Sequence, residues 1–96
     1  MLTTDNRISY EKEMGLEQWV YRFPNNYGAS VQKYSSQYSS NKGKFELAVL
    51  KWVEDKLTGD YKGFLAYKTP ITDKIIDGLT AKDIENLLNQ IKTLKE

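Results

Sequence analysis

The chain predicts an α+β fold, an antiparallel sheet of about four strands with one C-terminal helix packed on one face. Three stretches carry that expectation. Residues 16–34 read as two aromatic, alternating strands joined by a tight reversal at Phe23-Pro24-Asn25-Asn26-Tyr27. Residues 44–53 form an apolar run of strand length. Residues 80–95 repeat apolar side chains at helical spacing. Ninety-six residues suffice for a single modest core, and 40% hydrophobic with 28% charged residues is the balance of a globular chain.

Residues 1–15 show no clean periodicity and read as a loosely held N-terminal arm, with a turn of helix near Tyr10 to Met14 closed by Gly15. The domain proper spans 16–96. From Leu16 to Phe23 the pattern alternates, with Trp19, Tyr21 and Phe23 on one face and Gln18, Val20 and Arg22 on the other. Pro24 has no N–H to give to a ladder and ends the strand. Asn25 and Asn26 tolerate positive φ and suit the primed turns of a hairpin. The return strand, Tyr27 to Tyr34, opens with Gly28, Ala29 and Ser30, small enough for a bulky neighbour to lie across them.

Residues 35–43, Ser-Ser-Gln-Tyr-Ser-Ser-Asn-Lys-Gly, form a polar loop whose Tyr38 could anchor a partner. Lys44 to Val53 is apolar on both sides at its middle and therefore belongs in the centre of the sheet. A reversal through Asp55 to Gly63 leads to a fourth strand, Phe64 to Thr69. Thr72 and Asp73 can cap a short helical turn with Ile75 and Ile76 inward and Gly78 at its end. Thr80 and Asp83 can form a capping box for a helix over 81–95. Ile84, Leu87, Leu88, Ile91 and Leu94 make its apolar stripe.

Composition removes whole classes of chemistry. The chain has no cysteine and no histidine. It therefore lacks a thiol nucleophile, a disulfide framework, an imidazole base and the usual zinc or copper ligands. Asp73 and Asp77 stand four apart and could approach a cation, but Asp73 serves better as a first-turn residue favoured by the helix dipole. Gly59 and Gly63 form no phosphate-cradling pattern. No catalytic, cofactor or metal site is expected. Apolar segments are too short to cross a bilayer, and none follows a basic start, so a soluble chain is expected without signal peptide or anchor. Net charge is +1, divided into −2 over residues 1–21, +4 over 22–68 and −1 over 69–96. That is too weak a footprint to indicate nucleic acid. Basic and aromatic residues do interleave (Arg22 with Tyr21 and Phe23, Lys33 with Tyr34, Lys51 with Trp52), as in stacking platforms for nucleotides and in any half-buried sheet.

Counting surfaces yields a further expectation. Four strands make a sheet roughly 19 Å across, and one helix about 10 Å wide covers half of one face. Part of the set Trp19, Tyr21, Phe23, Leu50 and Trp52 is then left for another cover: the arm folded back, a second copy in a homodimer, or another macromolecule. Trp19, Tyr21, Arg22, Tyr38, Lys51 and Trp52 are the residues expected to bind that partner.

Arg22-Phe23-Pro24-Asn25 followed by Tyr27-Gly28-Ala29-Ser30-Val31, with Phe45-Glu46-Leu47-Ala48-Val49-Leu50, resembles a family of small, uncharacterised bacteriophage proteins. Tyr67-x-Thr69-Pro70-Ile71-Thr72-Asp73 and the closing helix from Leu79-Thr80 through Ile91 and Leu94 extend the resemblance over roughly residues 18–95. Departures are Asn26 in place of the family's usual turn glycine, Lys74 where an acidic residue is usual, and a Ser-rich loop where the family is often glycine-rich. The resemblance implies a phage or prophage origin and action in the cytoplasm of an infected bacterium, without an established activity. A lysine-, asparagine- and tyrosine-rich composition suits a low-GC Gram-positive host. The function expected is non-enzymatic binding to a host protein target, inhibiting a defence system such as CRISPR-Cas by occluding a surface. The alternative is a nucleotide- or nucleic-acid-binding module, either replication-associated or a sponge for signalling nucleotides.

Overall fold

In a computed structural model, which describes residues 2–34, 44–66 and 75–95, six strands and one helix follow the chain in the order β1 (Arg7–Glu13), β2 (Leu16–Arg22), β3 (Tyr27–Tyr34), β4 (Phe45–Glu54), β5 (Tyr61–Leu65), β6 (Ile76–Leu79) and α1 (Ala81–Lys92). The fold is α+β with an antiparallel, curled sheet. Five strands lie in chain order, β1-β2-β3-β4-β5, and β6 pairs with the other half of β4. The sheet is thus wider than the expected four strands.

The first extra strand comes from the supposed arm. Arg7–Glu13 pairs with β2 instead of forming a turn of helix. Met14 and Gly15 link the two strands with φ of 50° and 82°, the double left-handed geometry of a two-residue primed turn. Every residue of β1 is exposed, and the register slips between Arg7 and Ser9. Such a strand has no buried face to impose alternation on its sequence. The chain ahead of it is anchored. Leu2 is buried, the Thr3 amide donates to Glu85 Oε1 at 2.7 Å, and the Tyr21 hydroxyl donates to the Thr3 carbonyl at 2.9 Å.

The hairpin of β2 and β3 forms where expected, but its loop has three residues. The Asn26 amide donates to the Phe23 carbonyl at 3.0 Å, and only Asn26 has a positive φ, 67°. Pro24 sits at the first corner of a type I turn, and Asn26 takes the left-handed position after it. Asn25 is thereby left to point at the helix.

Near the C-terminus, Ile76–Leu79 is a strand and not the end of a helical turn, and Ile75 is exposed, not inward. Phe45 and Leu47 of β4 oppose Leu79 and Ile76, two steps against three. Gly78 absorbs the extra residue as a bulge at φ 68°. Thr72 and Asp73, the expected caps of that turn, lie outside the described residues, as does the later half of the expected Phe64–Thr69 strand. That strand is β5, and it begins earlier, at Tyr61. In α1 the capping box is formed. The Thr80 amide donates to Asp83 Oδ2 at 2.9 Å and the Asp83 amide to Thr80 Oγ1 at 3.2 Å. The Thr80 amide and hydroxyl together hold the Asp83 carboxyl below its ordinary pKa.

One apolar face of the sheet meets the helix. Trp19, Tyr21, Phe23, Ala29, Val31, Phe45, Leu47 and Val49 are buried against Ile84, Leu88 and Ile91, with Leu2 closing one end. Each fully buried Ile or Leu of α1 contributes about 2 kcal/mol of apolar transfer. Width therefore does not leave these aromatics uncovered. Curling the sheet around α1, with Leu2 and β6 at the margins, encloses them within one chain.

Candidate functional site

The six residues expected to bind a partner do not form one exposed patch. Trp19 is 9% exposed and Tyr21 fully buried, so both belong to the core beneath α1. Burial drives the Tyr21 phenol up to about 12. Lys51 reaches over the ring of Tyr27 at 4.3 Å on that same side of the sheet. Arg22 and Trp52 are on the opposite side. Tyr38 and the Ser-rich loop lie outside the described residues.

On the opposite side, Trp52 occupies the place that the small residues of β3 leave open. Its indole crosses Gly28, donates from Nε1 to the Tyr21 carbonyl at 3.1 Å, and lies against Gly63. A Cβ at Gly28 would run into the Tyr21 carbonyl and stand 2.6 Å from Trp52 Nε1. Beside it, the Arg22 guanidinium stacks on Tyr61, 3.8 Å from the ring centroid, joining β2 to β5. Trp52 is half-buried and Arg22 is engaged, so both have structural work on this face.

Two surfaces remain with properties that folding alone does not explain. The first is the hairpin of β4 and β5. Of the nine large hydrophobic residues that are exposed among the described residues, five belong to it: Val53, Leu57, Tyr61, Phe64 and Leu65. Val53 and Phe64 sit as diagonal neighbours on the helix side of the sheet, while Tyr61 and Leu65 lie on the other. Among the described residues, β5 pairs only with β4, so its outer edge has no strand beside it. The loop between the strands is held by the Asp55 amide donating to the Asp60 carbonyl at 2.7 Å and by Leu57 N–H donating to Asp55 Oδ1 at 2.9 Å.

The second is a pocket of about 410 Å³ between the β1–β2 hairpin and the start of α1, lined by Leu2, Arg7, Tyr10, Glu17, Trp19, Lys33, Phe45 and Ala81. Its wall is a run of three rings: Tyr10 to Trp19 at 5.3 Å between centroids, and Trp19 to Phe45 at 5.7 Å. Arg7 lies over Tyr10 at 5.7 Å and Lys33 over Phe45 at 5.3 Å. The Tyr10 hydroxyl donates to Glu17 Oε2 at 3.1 Å, and Lys12 stands 4.0 Å from the other carboxylate oxygen. Desolvation, with the Glu17 contact second, raises the Tyr10 pKa. Sequence reading missed this pocket because Tyr10 and Arg7 sat in the stretch read as an arm. Lys33 and Phe45 come together only through the β3–β4 register.

No group of three or more acidic side chains that could hold a metal ion occurs among the described residues. Asp77 is exposed on β6, and Asp73 lies outside the described residues. No helix among the described residues is long and apolar enough to cross a membrane. Comparison with protein-family models, with curated proteins and with solved structures returned no match.

Proposed function

We propose that this chain is a non-enzymatic accessory protein of phage origin, acting by binding in the cytoplasm of an infected bacterium. In this reading it inhibits a defence system such as CRISPR-Cas by covering a surface of a host protein. The observation that carries the binding reading is the β4–β5 hairpin, which concentrates Val53, Leu57, Tyr61, Phe64 and Leu65 at a sheet edge with no further strand among the described residues. An edge of this kind can take up a strand from a partner through main-chain hydrogen bonds, while the flanking apolar side chains fill its pockets. The phage and defence parts of the reading rest on the family resemblance in residues 18–95. A homodimer is a weaker reading than the sequence suggested, because the aromatic cluster that asked for a second copy is already enclosed.

The test is protection. The protein is expressed in a strain whose active CRISPR-Cas immunity restricts a targeted phage, and plaque counts are compared with the empty vector. Restored plaquing that is lost in F64E, with the variant's thermal unfolding unchanged, supports the proposal. Unchanged restriction with the wild-type protein refutes its CRISPR-Cas form. Restoration that survives F64E together with V53E removes the hairpin as the binding surface. Light scattering on the same preparations reads out dimer formation directly.

A further inference from the structure

We propose that the pocket between the β1–β2 hairpin and the start of α1 is a binding site for a single nucleoside 5′-phosphate, independent of the β4–β5 hairpin. Its volume, about 410 Å³, falls within the range of small-ligand pockets and exceeds a packing void by an order of magnitude. Three rings line one wall, and Tyr10 remains 44% exposed. Trp19 and Phe45 are 9% and 7% exposed, so the stacking surface open to a nucleobase is the Tyr10 ring, apolar and polarisable. Two cations, Arg7 and Lys33, each reach over a ring of that wall from opposite ends, at Tyr10 and Phe45.

A guanidinium and an ammonium flanking a ring stack suit a planar group that carries an anion. Arg7 has the fork geometry to grip phosphate oxygens in pairs, and Lys33 adds a point charge. Glu17 is the single acid in the lining among the described residues. It faces Lys33 across the β2–β3 register and accepts from the Tyr10 hydroxyl, and its remaining lone pairs can accept hydrogen bonds from base amino groups. Leu2 and Ala81 complete the lining, and the pocket's volume suits one nucleotide and not a strand.

The two tryptophans make the test specific. Trp19 lines the pocket, whereas Trp52 lies on the other face of the sheet over Gly28. In W52F the remaining indole fluorescence therefore reports on the pocket. Titration with GMP is expected to change Trp19 emission saturably, guanosine to bind about tenfold more weakly, and inorganic phosphate alone to leave the emission unchanged. Arg7 and Lys33 are outside the buried core, so R7A with K33A keeps the fold and is expected to weaken GMP at least tenfold. Should W52F fold poorly, calorimetric titration of the wild-type protein with the same compounds replaces it. No saturable response to millimolar GMP, or equal affinity in the double variant, overturns the proposal. So does tighter binding of an oligonucleotide with a salt dependence of several charges, since that describes a strand-binding surface.

Discussion

Asn25 makes the sharpest test of how this fold is held. Its amide Nδ2 donates to the carbonyls of Ile91, Lys92 and Leu94 at 2.8, 3.2 and 2.9 Å, and its Oδ1 accepts from the Tyr27 amide at 3.0 Å. One side chain in the β2–β3 turn thus caps the C-terminus of α1, where carbonyls have no partner within the helix. Two amide hydrogens serve three acceptors, so the donor side counts as two bonds and the Oδ1 contact as a third. At about 1 kcal/mol net for each, less what water recovers at a half-buried site, N25A is expected to lose about 2 kcal/mol. N25D is the more telling variant. It keeps the acceptor for Tyr27 but removes both donors and sets a negative charge against the negative end of the helix, for a total of about 3 kcal/mol. Urea unfolding at pH 7 followed by tryptophan emission measures both, with the denaturant slope unchanged. The carbonyls raise the folded-state pKa of the new carboxyl above its unfolded value. The N25D deficit is therefore largest above that folded pKa, and it shrinks as pH falls and the protonated carboxyl becomes a donor again. An N25D protein as stable as wild type at pH 7 refutes the reasoning.

Three other outcomes follow from positions already described. G28A is expected to lose about 3 kcal/mol, since the Tyr21 carbonyl is backbone and cannot swing aside; a red-shifted Trp52 emission would accompany the loss of its hydrogen bond. M14N is expected to gain about 0.5–1 kcal/mol in thermal unfolding, because Met14 is 96% exposed at a φ of 50° that asparagine adopts more readily. Tyr21 has a folded-state pKa raised to about 12 from 10, so its contribution is complete below pH 10 and is lost as pH rises from 10 through 12. Y21F is expected to flatten that alkaline decline, measured as melting temperature against pH.

How much of this was legible beforehand depended on whether a segment has a buried side. The β2–β3 hairpin, β4 and the stripe on α1 each bury most of one face, and that burial wrote a period into their residues. The room above Gly28 was read correctly, although its occupant, Trp52, was not named. Strand β1 buries nothing and so carried no signal beyond Gly15 after Met14. Strand β6 is four residues long with a bulge at Gly78, too short for a period of two to be distinguished from a turn. The sheet is one to two strands wider than the four expected, and a flat sheet was assumed. Curling aims Trp19, Tyr21, Phe23 and Phe45 at a common axis, so one helix with Leu2 suffices. For the same reason two of the anticipated contact residues became core, while the Tyr10–Trp19–Phe45 pocket depended on a register that no single segment reveals.

The strand order of the meander has a consequence for how the chain assembles. From β1 to β5 each strand finds its mate immediately before or after itself along the chain, so the ladder can zip by short loop closures in microseconds to milliseconds. Among the described residues, the side-chain hydrogen bonds of longest sequence separation are those by which α1 settles onto the β2–β3 turn through Asn25 and Thr3 reaches Glu85. Both converge on the same helix, so seating α1 is the entropically expensive event that turns a loose ribbon of hairpins into a cooperative unit.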